Sequence, residues 1–426
     1  MARQRDRVRL PKVNLSRVRI PKIRFAGTEE SSQRSPVATY YLIVVPALVL
    51  TGFGLLMGFS AQAVTSIANG ANPYTAYMRP VVIIIGSLIA AALAQMVPEK
   101  KWRQVAIPVF IFAVIFQSLV LSPLGYSEGG NANWVRIPGT DILMQPSELL
   151  KLALILMLAR TLARPGSRNS DLKQMAVTAG GPIILALIAV MLGHDLGTAM
   201  VVAVAAFGAL WVARLPGKWF LTLILVMIPV LTFLVFSNKT RLRRVAAILP
   251  WNQAERDLSA PEQIDHSLWA LGSGGLTGLG PGASREKWNY LQAAHTDFIF
   301  AIIGEEFGLM GTLTVLVSIG LLVWGMVRVC QDSPSQFASI VTGGIAAWIG
   351  FQAIINVMSV TGMGPVIGVP LPLVSYGGSS FLFTATAIGV VASFARSHAG
   401  MRMIGAPDEA SAGRDPRITP RRRPVR

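Results

Sequence analysis

The feature that most limits what this chain can fold into is a series of long apolar runs separated by short polar connections. Crossing a bilayer takes ~20 mostly apolar residues, because a spanning helix must satisfy its own backbone in hydrocarbon. Ten runs meet that measure, near residues 40–60, 79–97, 103–122, 147–163, 175–193, 196–213, 219–236, 298–327, 338–359 and 378–395. The expected fold is therefore all-α, a polytopic membrane protein of about ten transmembrane helices. Only 14% of the residues are charged, where an average soluble domain has ~25%. The first run begins near Tyr40 with no small-residue cleavage site after it, so no secretory signal is read there. Cys330 is the sole cysteine, which rules out an internal disulfide and a cysteine-built metal site.

Charge orients the spans. Lysine and arginine number 38 against 21 acids, and much of the excess lies in two basic tails, residues 1–38 and 397–426. Alternate connections are basic too: Lys100-Lys-Trp-Arg103, Arg160 to Lys173, Arg214 to Lys218, and Arg328. The positive-inside rule places all of these, and both termini, in the cytoplasm against anionic membrane lipids or a partner protein rather than nucleic acid. The membrane domain then covers 39–396. Its outer loops run from about 123 to 145 and from 237 to 296, the larger one between spans seven and eight.

The larger loop opens with Lys239, Arg241, Arg243 and Arg244, a basic cluster able to attract an anionic ligand such as a pyrophosphate. Its glycines Gly272, Gly274, Gly275, Gly278, Gly280 and Gly282 allow either close approach to a ligand or tight turns. In the smaller loop, Trp134 suits the interface and Arg136 offers a forked phosphate donor. Pro146 fits the first position of a helix. Glu148 lies in its positive first turn and can pair with Lys151 three residues on. Lys151 is also read as a substrate contact. Asp195, in a tight connection, is expected to cap the helix that follows. Gln352 and Asn356 share one face of the ninth span, where amides bind helices together. The stretch from Gly364 to Ser380 holds too much Pro and Gly for regular helix, so at membrane depth it must line a protein-walled cavity. Ser375 and Ser379 within it are read as substrate contacts.

Asp297 is the acid of greatest interest, standing where the long polar loop meets an apolar helix. It either caps that helix or does chemistry there. On a regular helix Glu306 lies about 180° from Asp297 and ~13 Å along the axis, with Glu305 ~12 Å along. Neither can share a proton with Asp297 if the helix is unbroken, so both are read as structural support.

As a set, Trp134-Val-Arg136, Gln145-Pro-Ser-Glu148-Leu-Leu-Lys151, Asp195-Leu-Gly-Thr198, Ala294-His-Thr-Asp297-Phe-Ile-Phe with Ile303-Gly-Glu-Glu306, and Leu371-Pro-Leu-Val-Ser-Tyr-Gly-Gly-Ser-Ser380 resemble the signature blocks of the SEDS family (FtsW, RodA and SpoVE). The blocks stand in the family's order over roughly residues 40–396. The stretches Lys287-Trp-Asn-Tyr-Leu and Pro370-Leu-Pro-Leu-Val look more like the cell-division branch than the elongation branch. The resemblance implies a peptidoglycan glycosyltransferase that polymerises lipid II into glycan strands at the outer face of the cytoplasmic membrane, at the division septum. It implies a class B penicillin-binding protein transpeptidase and other division proteins as partners. The family's essential aspartate falls on Asp297, and its tryptophan and outer-loop arginine fall near Trp134 and Arg136. Three positions depart from the family pattern: Asn133 stands where relatives commonly have Arg, Gln292 where they have Pro, and His194 where they often have Pro.

Such a reaction needs a base for the attacking sugar hydroxyl and cations for the departing pyrophosphate. Asp297 is the expected base, with Arg136 and the Arg241–Arg244 cluster as the clamp. A divalent cation, Mg or Mn, could share the clamp's task. The alternatives are a lipid II flippase or transporter, an elongation-type polymerase, and a scaffold acting through its tails.

Overall fold

Helix starts follow local rules. The second helix has Pro73 at its first position, and the Asn72 side chain accepts from the Tyr74 amide at 2.9 Å, satisfying an orphan donor. The computed structural model describes residues 35–128, 131–140, 142–164, 175–237, 242, 245, 263–288, 296–375 and 377–400. Nearly all of both basic tails lies outside these residues, as do Arg241, Arg243 and Arg244.

The described helices are α1 (Pro36–Ala68), α2 (Pro73–Met96), α3 (Glu99–Ser118), α4 (Pro146–Leu162), α5 (Gly181–Met191, entered through a π-helical turn), α6 (Leu196–Val212), α7 (Gly217–Phe236), α8 (Gln263–Gly274), α9 (Ile299–Asp332), α10 (Gln336–Val360) and α11 (Gly378–His398). Every apolar run read from the sequence falls on one of them, and α8 is an additional short helix in the large loop. Seven described helices are long and apolar enough to cross a membrane. The chain is a mostly helical, multi-pass membrane protein.

One element departs from the all-α expectation. Between α3 and α4 stand strands β1 (Gly125–Glu128), β2 (Asn131–Arg136) and β3 (Leu143–Met144), forming an antiparallel sheet in the order β1-β2-β3. Tyr126 pairs with Trp134, and Arg136 with Leu143. Val135 is buried while Arg136 beside it is exposed, the alternation expected of a strand that covers a core on one face. The Ala132 amide donates to the Gly193 carbonyl at 3.0 Å, tying the sheet to the tight connection between α5 and α6.

At the centre is α4, buried along nearly its whole length, with α10 and α11 beside it. A helix apolar on every side belongs inside a bundle. Close approach is made by small residues. A β-carbon added to Gly389 of α11 would stand 2.3 Å from the Ala91 carbonyl of α2, so those helices touch through bare backbone. The outer helices show apolar side chains to the surroundings, as lipid contact allows. In α7, Phe233 is 72% exposed.

Candidate functional site

The Pro- and Gly-rich segment 361–377 is held against α10 by side chains. Gln352 Nε2 donates to the Pro370 carbonyl, Asn356 Nδ2 to that of Val369, and Ser359 Oγ to that of Pro365, each at 2.8 Å. Residues four and three apart share a helix face, so one stripe of α10 satisfies carbonyls that an irregular segment leaves free. Gly368 and Leu373 there have positive φ, 75° and 60°.

Asp297 meets this segment. Asn356 Nδ2 also donates to the Asp297 backbone carbonyl at 2.8 Å, and Ser375 Oγ donates to the carbonyl of Thr296 at 2.6 Å. A β-carbon added to Gly368 would lie 3.4 Å from Asp297 Oδ2. Asp297 is half-buried between the loop end and the broken segment. The cap of α9 falls on Phe298, so Asp297 stands one residue ahead of the capping position.

A second network lies deeper. Lys151 Nζ donates to Glu148 Oε1 at 2.9 Å and to Gln352 Oε1 at 3.1 Å, and sits 4.5 Å from the centroid of the Trp348 ring. Trp348 Nε1 donates to the same Gln352 oxygen at 2.7 Å. Lys151 and Glu148 are each 2% exposed. Lys151 is thus enclosed by protein partners on α4 and α10. Ser375 and Ser379 are likewise engaged by protein groups. Both are buried; Ser375 also accepts from the Leu371 amide at 2.8 Å, and Ser379 accepts from the Gln145 amide at 3.0 Å.

Asp195 accepts from the Thr198 amide at 2.9 Å and from its hydroxyl at 2.5 Å, capping α6. Gln145 Nε2 donates to that hydroxyl at 3.4 Å. Arg136 is exposed, its guanidinium 5.6 Å from the centroid of the Tyr126 ring, and Trp134 is half-buried in the same sheet.

The two glutamates of α9 bind the large loop. Glu305 accepts from Ser284 Oγ at 2.5 Å and the Arg285 amide at 2.8 Å. Glu306 Oε1 accepts from Lys287 Nζ and Ser60 Oγ, both at 2.7 Å. The regular helix assumed from sequence is broken at Gly308, where φ is 63° and ψ −157°. The break frees the carbonyls of Glu305 and Glu306, which accept from the amides of Leu279 and Gly280 at 2.9 and 3.0 Å. This decides the open question about Gly274 and Gly278. Added β-carbons would stand 1.8 Å from the Gly304 carbonyl and 2.1 Å from that of Glu306, so these glycines admit protein backbone. Lys287, Ser60 and Ser284 give no sequence signal of these roles, because their partners lie on other elements. Among the described residues no three metal-ligating side chains converge, and Glu148, Asp195, Glu305 and Glu306 are engaged by protein donors.

A bundle of apolar helices that also holds a half-buried acid beside a broken segment is that of a multi-pass membrane protein. The chain belongs to the cell cycle protein family (FTSW_RODA_SPOVE), whose model matches residues 40–400. It is 34% identical over 356 residues to the probable peptidoglycan glycosyltransferase FtsW of Geobacter sp. (strain M18), covering 82% of this chain and 95% of that one. It is also 34% identical over 357 residues to stage V sporulation protein E of Bacillus subtilis (strain 168), covering 83% and 96%. Among solved structures, the rod shape determining protein RodA of Thermus thermophilus matches with a TM-score of 0.60 at 26% identity, over 83% of this chain and 96% of that one. A chain from a structure described as a peptidoglycan synthase complex that coordinates polymerisation and crosslinking matches in fold, with a TM-score of 0.67 at 24% identity, over 83% and 97%.

Proposed function

We propose that this protein is a peptidoglycan glycosyltransferase that polymerises lipid II at the outer face of the cytoplasmic membrane, with Asp297 as its general base. The observation that carries the assignment of the base is the fixing of Asp297: its peptide is tied by Asn356 and Ser375, and the residue is half-buried beside the broken segment. Asp297 takes the proton of the attacking sugar hydroxyl. That oxygen bonds to the anomeric carbon of the second sugar, whose bond to the lipid pyrophosphate breaks. The leaving group departs as an anion, so cations of the outer loops, Arg136 and the Arg241–Arg244 cluster, hold it. Glu148, Lys151, Asp195, Gln352, Asn356, Ser375 and Ser379 keep the surrounding backbone in place.

The proposal includes ten crossings with both termini inside, an arrangement that puts Asp297 and the sheet on one face and the basic connections on the other. The preference for the division branch, the septal location and the transpeptidase partner belong to the same proposal. Homology to proteins named FtsW and the fold shared with a synthase complex support it.

The test is polymer formation from purified lipid II by the wild type and Asp297→Asn in liposomes. Asp297→Asn should insert and bind normally yet make no glycan. Normal polymer from it would remove Asp297 as the base. Movement of labelled lipid II between leaflets, with no polymer from the wild type, would favour a transporter instead.

A further inference from the structure

Where α3 begins and α4 ends, Lys100, Arg103, Gln104, Arg160 and Arg164 line a cleft of about 270 Å³. On α3, Lys100, Arg103 and Gln104 are spaced to share one face; on α4, Arg160 and Arg164 are four apart. Among the described residues, four cations meet with no carboxylate in the lining. The nearest acid in sequence, Glu99, accepts from Ser335 Oγ at the start of α10.

Two of the guanidinium groups also hold backbone. Arg160 Nη1 donates to the Gln104 carbonyl at 3.0 Å and to that of Arg103, while Arg103 Nη2 reaches the Ala163 carbonyl at 3.5 Å. These bonds hold the two helix ends together, and with them the cations. Like charges gathered this way repel unless an anion joins them. Lys100 and Arg164 are exposed at the rim.

The depth of the cleft is set by chain geometry. From it, α3 leads towards β1, and α4 returns from β3, so the sheet lies at the far end of both helices. The 20 residues of α3 span ~30 Å, about the thickness of the hydrocarbon layer. Trp102, next to the lining residues, is half-buried, as suits the headgroup level. From Lys100 and Gln104 the same face of α3 continues through Pro108, Ile111 and Ile115, all exposed. A strip of that kind fits an acyl chain and has no use for a soluble ion.

We propose that this cleft binds the phosphate of an anionic phospholipid in the leaflet opposite the sheet, with its chain lying along α3. The inference rests on α3 and α4 crossing the membrane and is independent of the reaction at Asp297.

The experiment is native mass spectrometry of the full chain released from detergent, with phosphatidylglycerol and phosphatidylcholine of matched chains as probes. The wild type should retain one phosphatidylglycerol in preference to phosphatidylcholine. Lys100→Gln with Arg164→Gln removes two rim cations that make none of the helix-end bonds described above. It should weaken retention on the order of twentyfold, at the usual contribution of a cation near a membrane surface. Arg214→Gln with Lys218→Gln, in another basic connection, should leave retention unchanged. Equal retention by the cleft variant would overturn the proposal. So would an equal loss in the control pair, which would show only general attraction to a positive surface. Binding of inorganic phosphate without any preference between the two lipids would show a soluble-anion site and overturn the lipid assignment. If the double variant loses thermal stability, the two single variants supply the same comparison.

Discussion

Asn356 Nδ2 lies 2.8 Å from the Asp297 carbonyl oxygen and 2.8 Å from that of Val369, so one amide joins the end of the large loop to the broken segment. Four residues away, Gln352 does the same between Lys151 and Pro370. Together they make α10 the frame on which the backbone of Asp297 is set. An acid whose backbone is fixed in this way has its side chain directed by α10 and the broken segment together.

Asn356→Ala should lower kcat for polymerisation by about a hundredfold, the cost of moving a reacting group by ~1 Å, with lipid II binding little changed. Ser359→Ala is the control, since it loses the bonds to the Pro365 and Ile355 carbonyls but none to Asp297 and should alter stability without altering rate. Single-turnover polymerisation beside a thermal melt separates the two effects. A near-normal rate for Asn356→Ala would show that Asp297 is positioned by something else.

The buried pair of Glu148 and Lys151 should behave non-additively. Removing either partner strands a charge that is 2% exposed, a loss of about 3–5 kcal/mol. Glu148→Leu with Lys151→Met removes both charges and should be more stable than either single variant in detergent melts. Additive losses would mean that the pair is not coupled.

These two networks differ in how far sequence exposes them. The spacing of Glu148 and Lys151 on one helix is enough to read their pairing, and Asp195 before Leu196-Gly-Thr198 is enough to read a cap. The apolar runs are legible for the same reason, since each helix is specified by its own residues. Gln352 and Asn356 show a shared face but not their partners, because carbonyls of an irregular segment carry no sequence signal. The sheet of residues 125–144 is short and polar, and its pairing depends on folding back rather than on local pattern. The break at Gly308 is likewise invisible, since a Gly four residues after Gly304 reads as helix packing.

Lys287 is the clearest case of a partner hidden by distance. Its ammonium donates to Glu306 at 2.7 Å, Ser60 at 2.9 Å and the Gly282 carbonyl at 2.7 Å, anchoring the segment that leads to the Asp297 loop. Lys287→Met should free residues 279–288 and leave Glu306 buried without its cation. Limited proteolysis should then cut this segment at least several times faster while the membrane core stays resistant. An unchanged cleavage rate would show that Ser284 and Glu305 hold the segment by themselves.

Two loop glycines should respond to alanine with opposite signs. Gly278 has φ +82°, and an added β-carbon would stand 2.1 Å from the Glu306 carbonyl. Gly278→Ala therefore meets both left-handed backbone strain and a clash with main chain, which cannot move aside as a flexible side chain would. Gly272 lies within α8, and a β-carbon there meets nothing within 4 Å. Gly272→Ala should stabilise the short helix by up to ~1 kcal/mol through helix propensity and reduced unfolded-state entropy. Detergent melts of the two variants check the pair: a drop of several degrees for Gly278→Ala against no loss for Gly272→Ala. Equal tolerance at both sites would mean that the loop is not packed against the break in α9, and that the glycines there serve something other than close backbone contact.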